Sequence, residues 1–300
     1  MYMPIPKFVH QTWRTHVLPE TLKMLRREMQ ENNEEYKFIL YDNTEMENFM
    51  KTFIEIENAR ECFFSLAHAS AKAELWRYCI LYKMGGIYLN IDARINSPIR
   101  DFIHDDDECI ITRVSKQREY HNDILIFSPR HPILKKVIES CCVNIEKRKP
   151  GRNDDITGGP VFSKGVHDVL SVHFKTDMTF LGLYMLPDDE INSIIQHVGL
   201  EKSRFYGNDM ESHIDFKHIE LKEMSDMRRR VSKYERLYLD TPILDDMNIQ
   251  KPTIDIVEEK KDSSNQDICI HTTQEDTNVE TMSVLERVRR YSTNHIDRNK

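Results

Sequence analysis

Two adjacent glycines, Gly85 and Gly86, divide patterns of different period in a chain with only nine glycines among 300 residues. Before them the chain repeats with a helical period. Leu75, Cys79 and Tyr82 fall at i, i+4 and i+7, with Trp76 and Ile80 widening the apolar stripe. Glu74 and Arg77 are i and i+3 neighbours, able to look toward one side. After the glycines, residues 87–92 alternate: Ile87, Leu89 and Ile91 point one way, and Tyr88, Asn90 and Asp92 the other. The stretch 70–92 therefore predicts a helix, a positive-φ stop and a strand ending in a carboxylate. A Tyr/Asn/Asp face set against an apolar face describes the wall of a cleft, and a strand-end carboxylate suits a divalent cation.

The rest of the chain builds the same kind of unit. Residues 5–13 read as a first strand and 19–32 as an amphipathic helix with Leu22, Leu25 and Met29 inward. Residues 36–41 form a buried strand, and Thr44 to Glu47 a capping box that opens a helix through about residue 56. This β-α-β-α order predicts an α/β fold with a mostly parallel sheet flanked by helices, its cleft at the carboxyl ends of the strands. Further on, strands are expected at 109–114, 123–127 and 180–186, and helices at 132–145, 161–170 and 226–239. Asp105 and Asp107 make a second D-x-D, set aside as a metal site because no strand or glycine stop precedes it.

Composition narrows the function. A net charge of −8 argues against a general nucleic-acid binder, since phosphate neutralisation needs a basic surface. No run approaches the roughly 18 apolar residues of a membrane span, and the first strand begins too early to leave room for a signal peptide. The six cysteines lack CxxC spacing and read as reduced, which points to a cytoplasmic setting. One domain over 1–255 is expected, with 256–300 as a polar, disordered tail.

The string SAKAELWRYCILYKMGGIYLNID resembles the DXD-containing sugar-transfer signature of glycosyltransferase family 32, that of the initiating α-mannosyltransferases. The large clostridial glucosylating toxins are more distant relatives. The usual form is S-D-x-x-R, an apolar helix, then G-G-x-Y-x-D-x-D. Here Glu74 stands for the first Asp, Arg77 for the Arg, Gly85–Gly86 for the glycines, Tyr88 for the Tyr and Asp92 for the last Asp. Asn90 replaces the first Asp of the D-x-D. IPKFVHQTW, at 5–13, is similar to the family's opening strand, and ITGGPVFSK, at 156–164, to its T-G-P element.

The resemblance implies a GT-A-like nucleotide-sugar-binding fold. It implies transfer from a nucleotide-diphosphate sugar to a glycan or other hydroxyl acceptor, with retention of configuration and with Mn²⁺ or Mg²⁺. It implies catalytic roles for Asp92, Arg77 and Glu74, and metal ligation by Asp92 with Asn90. Trp13, His10, Tyr88, Asn90, Gly86 and Gly159 would line the donor, Trp13 by stacking on the base. Asn90 could instead hydrogen-bond the ribose or sugar, because its amide both donates and accepts. Two other classes compete: a non-catalytic nucleotide-sugar or glycan-binding protein, and a metal-dependent phosphoryl hydrolase.

Overall fold

The computed structural model describes residues 3–112, 120–174, 203–206, 214–215 and 238. All lie in the first of the chain's two units, Met1–Ile243. Expectations for 180–186, 226–239 and 256–300 fall outside the described residues.

Strands β1 (Phe8–Thr12), β2 (Lys37–Tyr41), β3 (Gly86–Leu89), β5 (Cys109–Thr112), β6 (Ile124–Phe127) and β7 (Ser203–Tyr206) form one sheet in the order β2-β1-β3-β6-β5-β7. β1 pairs in parallel with β2 and β3, and β5 with β7. β6 runs antiparallel to both its neighbours. A small second ladder joins β4 (Arg94–Ile95) to β8 (Ile214–Asp215). The helices are α1 (Glu20–Asn32), α2 (Asn43–Lys51), α3 (Ala59–Ser65), α4 (Ala69–Met84), α5 (Pro132–Glu146), α6 (Asn153–Thr157) and α7 (Gly159–Phe174). This is the expected α/β class, a mostly parallel sheet flanked by helices.

Each face of the sheet has its own partner. Leu25 and Met29 of α1 share a core with Val9, Phe38, Ile87, Leu89, Ile124 and Ile126. The alternate residue Tyr88 turns to the other face, where Arg77 of α4 covers its ring. The period-2 reading of β3 therefore holds as far as Leu89.

Four local readings change. The reciprocal cap of α2 is Asp42 with Glu45, the Glu45 N–H donating to Asp42 Oδ1 at 2.8 Å, rather than Thr44 with Glu47. α3 and α6 are helices where none was expected. α4 is not an amphipathic stripe: Leu75 to Leu81 are all buried, because the helix packs against α2, α3, α5, α6 and β3 together. Finally, β3 ends at Leu89. Residues 90–93 form a turn, closed by the Ala93 N–H donating to the Asn90 carbonyl at 3.1 Å.

Gly85 and Gly86 are required on steric grounds. They sit at φ +66° and +102°, and a Cβ on Gly85 would lie 2.6 Å from Pro129 Cδ. On Gly86 it would lie 2.7 Å from the Phe8 carbonyl oxygen. The double glycine lets α4 stop and β3 start directly against β1.

Candidate active site

The carboxyl ends of β1 and β3 meet at a topological switch point. From β1 the chain goes to β2 on one side and returns to β3 on the other. Crevices in α/β sheets form where connections diverge in this way. Trp13 follows β1 and Asn90 follows β3, so the sheet brings both to that end. β6 is antiparallel, so its beginning arrives there too: Leu89 lies opposite Ile124. The ladder continues one step further through the Asn90 N–H, which donates to the Asp123 carbonyl at 2.8 Å.

Around that end runs a continuous polar network. The Tyr88 hydroxyl donates to Asn90 Oδ1 at 3.1 Å and lies 3.4 Å from the Thr12 hydroxyl. Asn90 Nδ2 donates to Asp123 Oδ1 at 2.7 Å. The Arg77 guanidinium carbon sits 4.5 Å from the centre of the Tyr88 ring, and its Nη1 donates to the Asn122 carbonyl at 2.6 Å. One turn earlier, Glu74 accepts from the Thr157 hydroxyl at 2.7 Å. The Tyr78 hydroxyl closes the circuit by donating to the Thr157 carbonyl at 3.0 Å.

Glu74 and Arg77 are each only 7% exposed, so a solvated surface ion pair does not describe them. Burial pushes the Glu74 carboxyl above its usual range, while Arg77 and the Thr157 hydroxyl oppose that shift. For Arg77, burial works against the charge, but Tyr88, Glu74, Tyr78 and Asp123 more than offset it and hold the guanidinium above its ordinary value. The Arg77 Nε–H is buried with no hydrogen-bond acceptor. A buried donor without an acceptor is costly, of order 1–3 kcal/mol, and an oxygen of a bound ligand would relieve it.

The expected site residues separate into groups. Glu74, Arg77, Tyr88 and Asn90 come together. Trp13 is half-buried at the end of β1, with the Arg14 guanidinium carbon 5.9 Å from its ring centre and its Nε1–H without an acceptor. Asp92 was expected on a cleft-facing strand end; it lies instead in the 90–93 turn and is 3% exposed. His10 is fully buried. Its Nε2–H donates to the Gly85 carbonyl at 3.0 Å and its Nδ1 accepts from the Tyr41 hydroxyl at 3.0 Å. Both nitrogens are thus used in tying β1 to the glycine stop, which leaves none for a donor. Gly86 packs on Phe8. Gly159 opens α7; the close approach is at Gly158, where a Cβ would meet Asp154 Cα at 2.6 Å.

Sequence reasoning passed over Asp123 and Asn122, and met Thr157 only as part of the T-G-P resemblance. The one signal for the first two is a polar pair directly before the apolar run Ile124–Phe127. The set-aside Asp107 accepts from the His104 N–H at 2.7 Å and closes its own loop.

Asp92, Asn90 and Asp123 carry oxygen atoms, the donor type that a hard cation such as Mn²⁺ or Mg²⁺ takes. Among the described residues one group of three His/carboxylate side chains has ligand atoms within 4.8 Å of one another: His16, Asp42 and Glu45. Two of those form the α2 cap, so the group is accounted for by the helix start. A groove of about 600 Å³ between α5 and α7, lined by Lys136, Ser140, Asn144, Lys149 and Lys164 among others, shares no residue with the network.

Comparison with known proteins bears directly on this region. The family described as glycosyltransferase sugar-binding region containing DXD motif matches residues 19–110. The matched stretch is similar to a DXD-containing glycosyltransferase sugar-binding region. It holds Glu74, Arg77, Tyr88, Asn90 and Asp92, while β1, β6 and Asp123 lie beyond it. Inositol phosphoceramide mannosyltransferase 3 of Schizosaccharomyces pombe is 28% identical over 136 residues, 45% of this chain and 37% of that protein. Mannosyl phosphorylinositol ceramide synthase CSH1 of Saccharomyces cerevisiae is 29% identical over 136 residues, 45% of this chain and 35% of its own length. The chain thus matches little more than a third of these relatives. Among solved structures, the PaToxG glycosyltransferase aligns with a TM-score of 0.48 at 16% identity, covering 71% of this chain and 89% of that one. No helix among the described residues is long and apolar enough to cross a membrane.

Proposed function

We propose that this chain is a glycosyltransferase that uses a nucleotide-diphosphate sugar, moves the sugar to a glycan or other hydroxyl acceptor, and retains its configuration. The observation that carries the reading is the convergence of buried Glu74 and Arg77 on Tyr88 and Asn90 at the β1/β3 switch point. Burying two charges costs several kcal/mol each, which a structural helix has no need to incur. Arg77, with an unused Nε–H, is suited to hold diphosphate oxygens, and Glu74, kept in place by Thr157, to accept from donor-sugar hydroxyls. Trp13, next to the switch point, is placed to stack on the base. Gly159, in the segment tied to α4 through Thr157, is assigned to the donor side.

Asp92 and Asn90 are the proposed cation ligands. Mn²⁺ or Mg²⁺ bound there would act as a Lewis acid toward the departing diphosphate. A cytoplasmic setting is part of the proposal. The five described cysteines are buried and in no disulfide bond, as a reducing compartment favours.

One observation favours a second reading, binding without turnover. Asn90 is engaged on both sides and Asp92 is 3% exposed, so the cation site is less open than a strand-end carboxylate would make it. Incubating the full chain with GDP- and UDP-sugars and Mn²⁺, and following donor by mass spectrometry, separates the two. Hydrolysis or transfer that is lost in Arg77→Lys supports the enzyme. Donor-dependent thermal stabilisation with no product supports the binding protein.

A further inference from the structure

Position 90 lacks the carboxylate of the usual D-x-D, yet a carboxylate stands beside it. Asp123 is 33 positions away in the chain and reaches Asn90 because β6 runs antiparallel to β3. The contact is double. The backbone of Asn90 donates to the Asp123 carbonyl, and its side-chain amide donates to Oδ1 at 2.7 Å. An ionised carboxylate only accepts, so it fixes the NH₂ of Asn90 toward Asp123 and the amide oxygen toward the Tyr88 hydroxyl. Asp123 also reaches the rest of the site electrostatically. Together with Asp92 it helps raise the Tyr88 hydroxyl, after burial and against Arg77, and it stabilises the Arg77 charge.

We infer that the negative charge missing from position 90 has moved across the ladder to Asp123, which serves with Asp92 as the second carboxylate of the cation site. The inference rests on the metal-assisted reading above. It changes what restoring the motif would do. Asn90→Asp alone would set two carboxylate oxygens about 2.7 Å apart and remove the N–H that bonds the two side chains. Only Asn90→Asp combined with Asp123→Asn returns the charge to the strand while keeping one carboxylate, one amide and the bond between them.

The test is Mn²⁺ binding, read from the electron paramagnetic resonance of free Mn²⁺, with GDP or UDP present, on the full chain. Asp123→Asn should weaken Mn²⁺ by about tenfold or more, with thermal unfolding unchanged. Asn90→Asp/Asp123→Asn should recover most of that loss. Wild-type affinity in Asp123→Asn would overturn the inference and leave Asp123 as an orienting group only. A double variant as weak as Asp123→Asn would overturn it too, because charge would then be needed at position 123 itself. Should Asp123→Asn fold poorly, the double variant alone decides, since it keeps the pair bonded. Mn²⁺ affinity unchanged in Asp92→Asn, or absent from the wild type, would overturn the metal-assisted reading itself, a result distinct from either outcome at Asp123.

Discussion

Helices α1 and α4 cover opposite faces of the same sheet and differ in where they keep their charges. α1 buries Leu22, Leu25 and Met29 and turns its ionic residues other than Arg26 largely to water, with Arg27 paired to Glu31 at 2.9 Å on an exposed face. α4 is buried nearly all round and keeps Glu74 and Arg77 inside. The first arrangement costs little desolvation and contributes little specificity. The second incurs desolvation at both charges and recovers it through their mutual attraction and through partners elsewhere in the chain, Thr157, Asn122 and Tyr88 among them. Exposed charges on a helix are replaceable, whereas buried ones are fixed by what they hold.

That contrast can be broken by experiment, and the largest effect belongs to α4. Arg77→Met removes the partner that compensates buried Glu74 and leaves the Asn122 carbonyl unpaired; a loss of about 3–5 kcal/mol is expected in urea unfolding. A loss below about 1 kcal/mol would show that Arg77 is solvated in practice.

Next is the buried histidine behind α4. Burial lowers the His10 pKa from 6.5 to about 4, despite the favourable bond to the Gly85 carbonyl. The unfolded chain therefore binds the extra proton between those values, and stability rises with pH across that window. His10 contributes fully above pH 6.5, and its contribution, about 3 kcal/mol from 1.36 kcal/mol per unit, is lost as pH falls through 4. His131, lowered by burial to about 3, acts in the same direction. The slope of unfolding free energy against pH between 4 and 6.5 should fall by close to one proton in His10→Gln; an unchanged slope would refute the assignment.

A smaller effect is expected where α4 stops. Gly86→Ala puts a side chain at φ +102° and within 2.7 Å of the Phe8 carbonyl. A cost of about 2 kcal/mol is expected, seen as a lower midpoint with unchanged slope in urea. The smallest effect sharpens the comparison from the other side. Arg27→Ala on α1 should change stability by no more than about 0.5 kcal/mol, and more than that would mean the exposed face of α1 is not solvated.

The sequence made α1 legible because one-sided burial leaves a period. α4 read as a one-sided stripe as well, but a helix enclosed by five elements is buried in every direction, its two charges included. The motif did mark Glu74, Arg77, Tyr88 and Asn90 as a set, because all four lie on one helix and the strand that follows it. Asp123 was invisible for the opposite reason: its place depends on the antiparallel register of β6, which no local pattern encodes. The Asp92 reading missed the turn that ends β3, as alternation continues in the letters after the ladder has stopped. The α2 cap was misplaced by two residues because Asp42–Glu45 and Thr44–Glu47 both fit the spacing. Only Asp42 directly follows the end of β2.

The position of β3 also sets the smallest segment that can stand alone. Residues 19–110, the part matched by the family, contain β3 but neither β1 nor β6, the two strands hydrogen-bonded to it. Expressed by itself, that segment would present an apolar strand with both edges open, a template for intermolecular pairing. A soluble unit has to reach from Phe8 through Phe127 at the least, so the stretch that carries the signature is shorter than the stretch that can keep it folded.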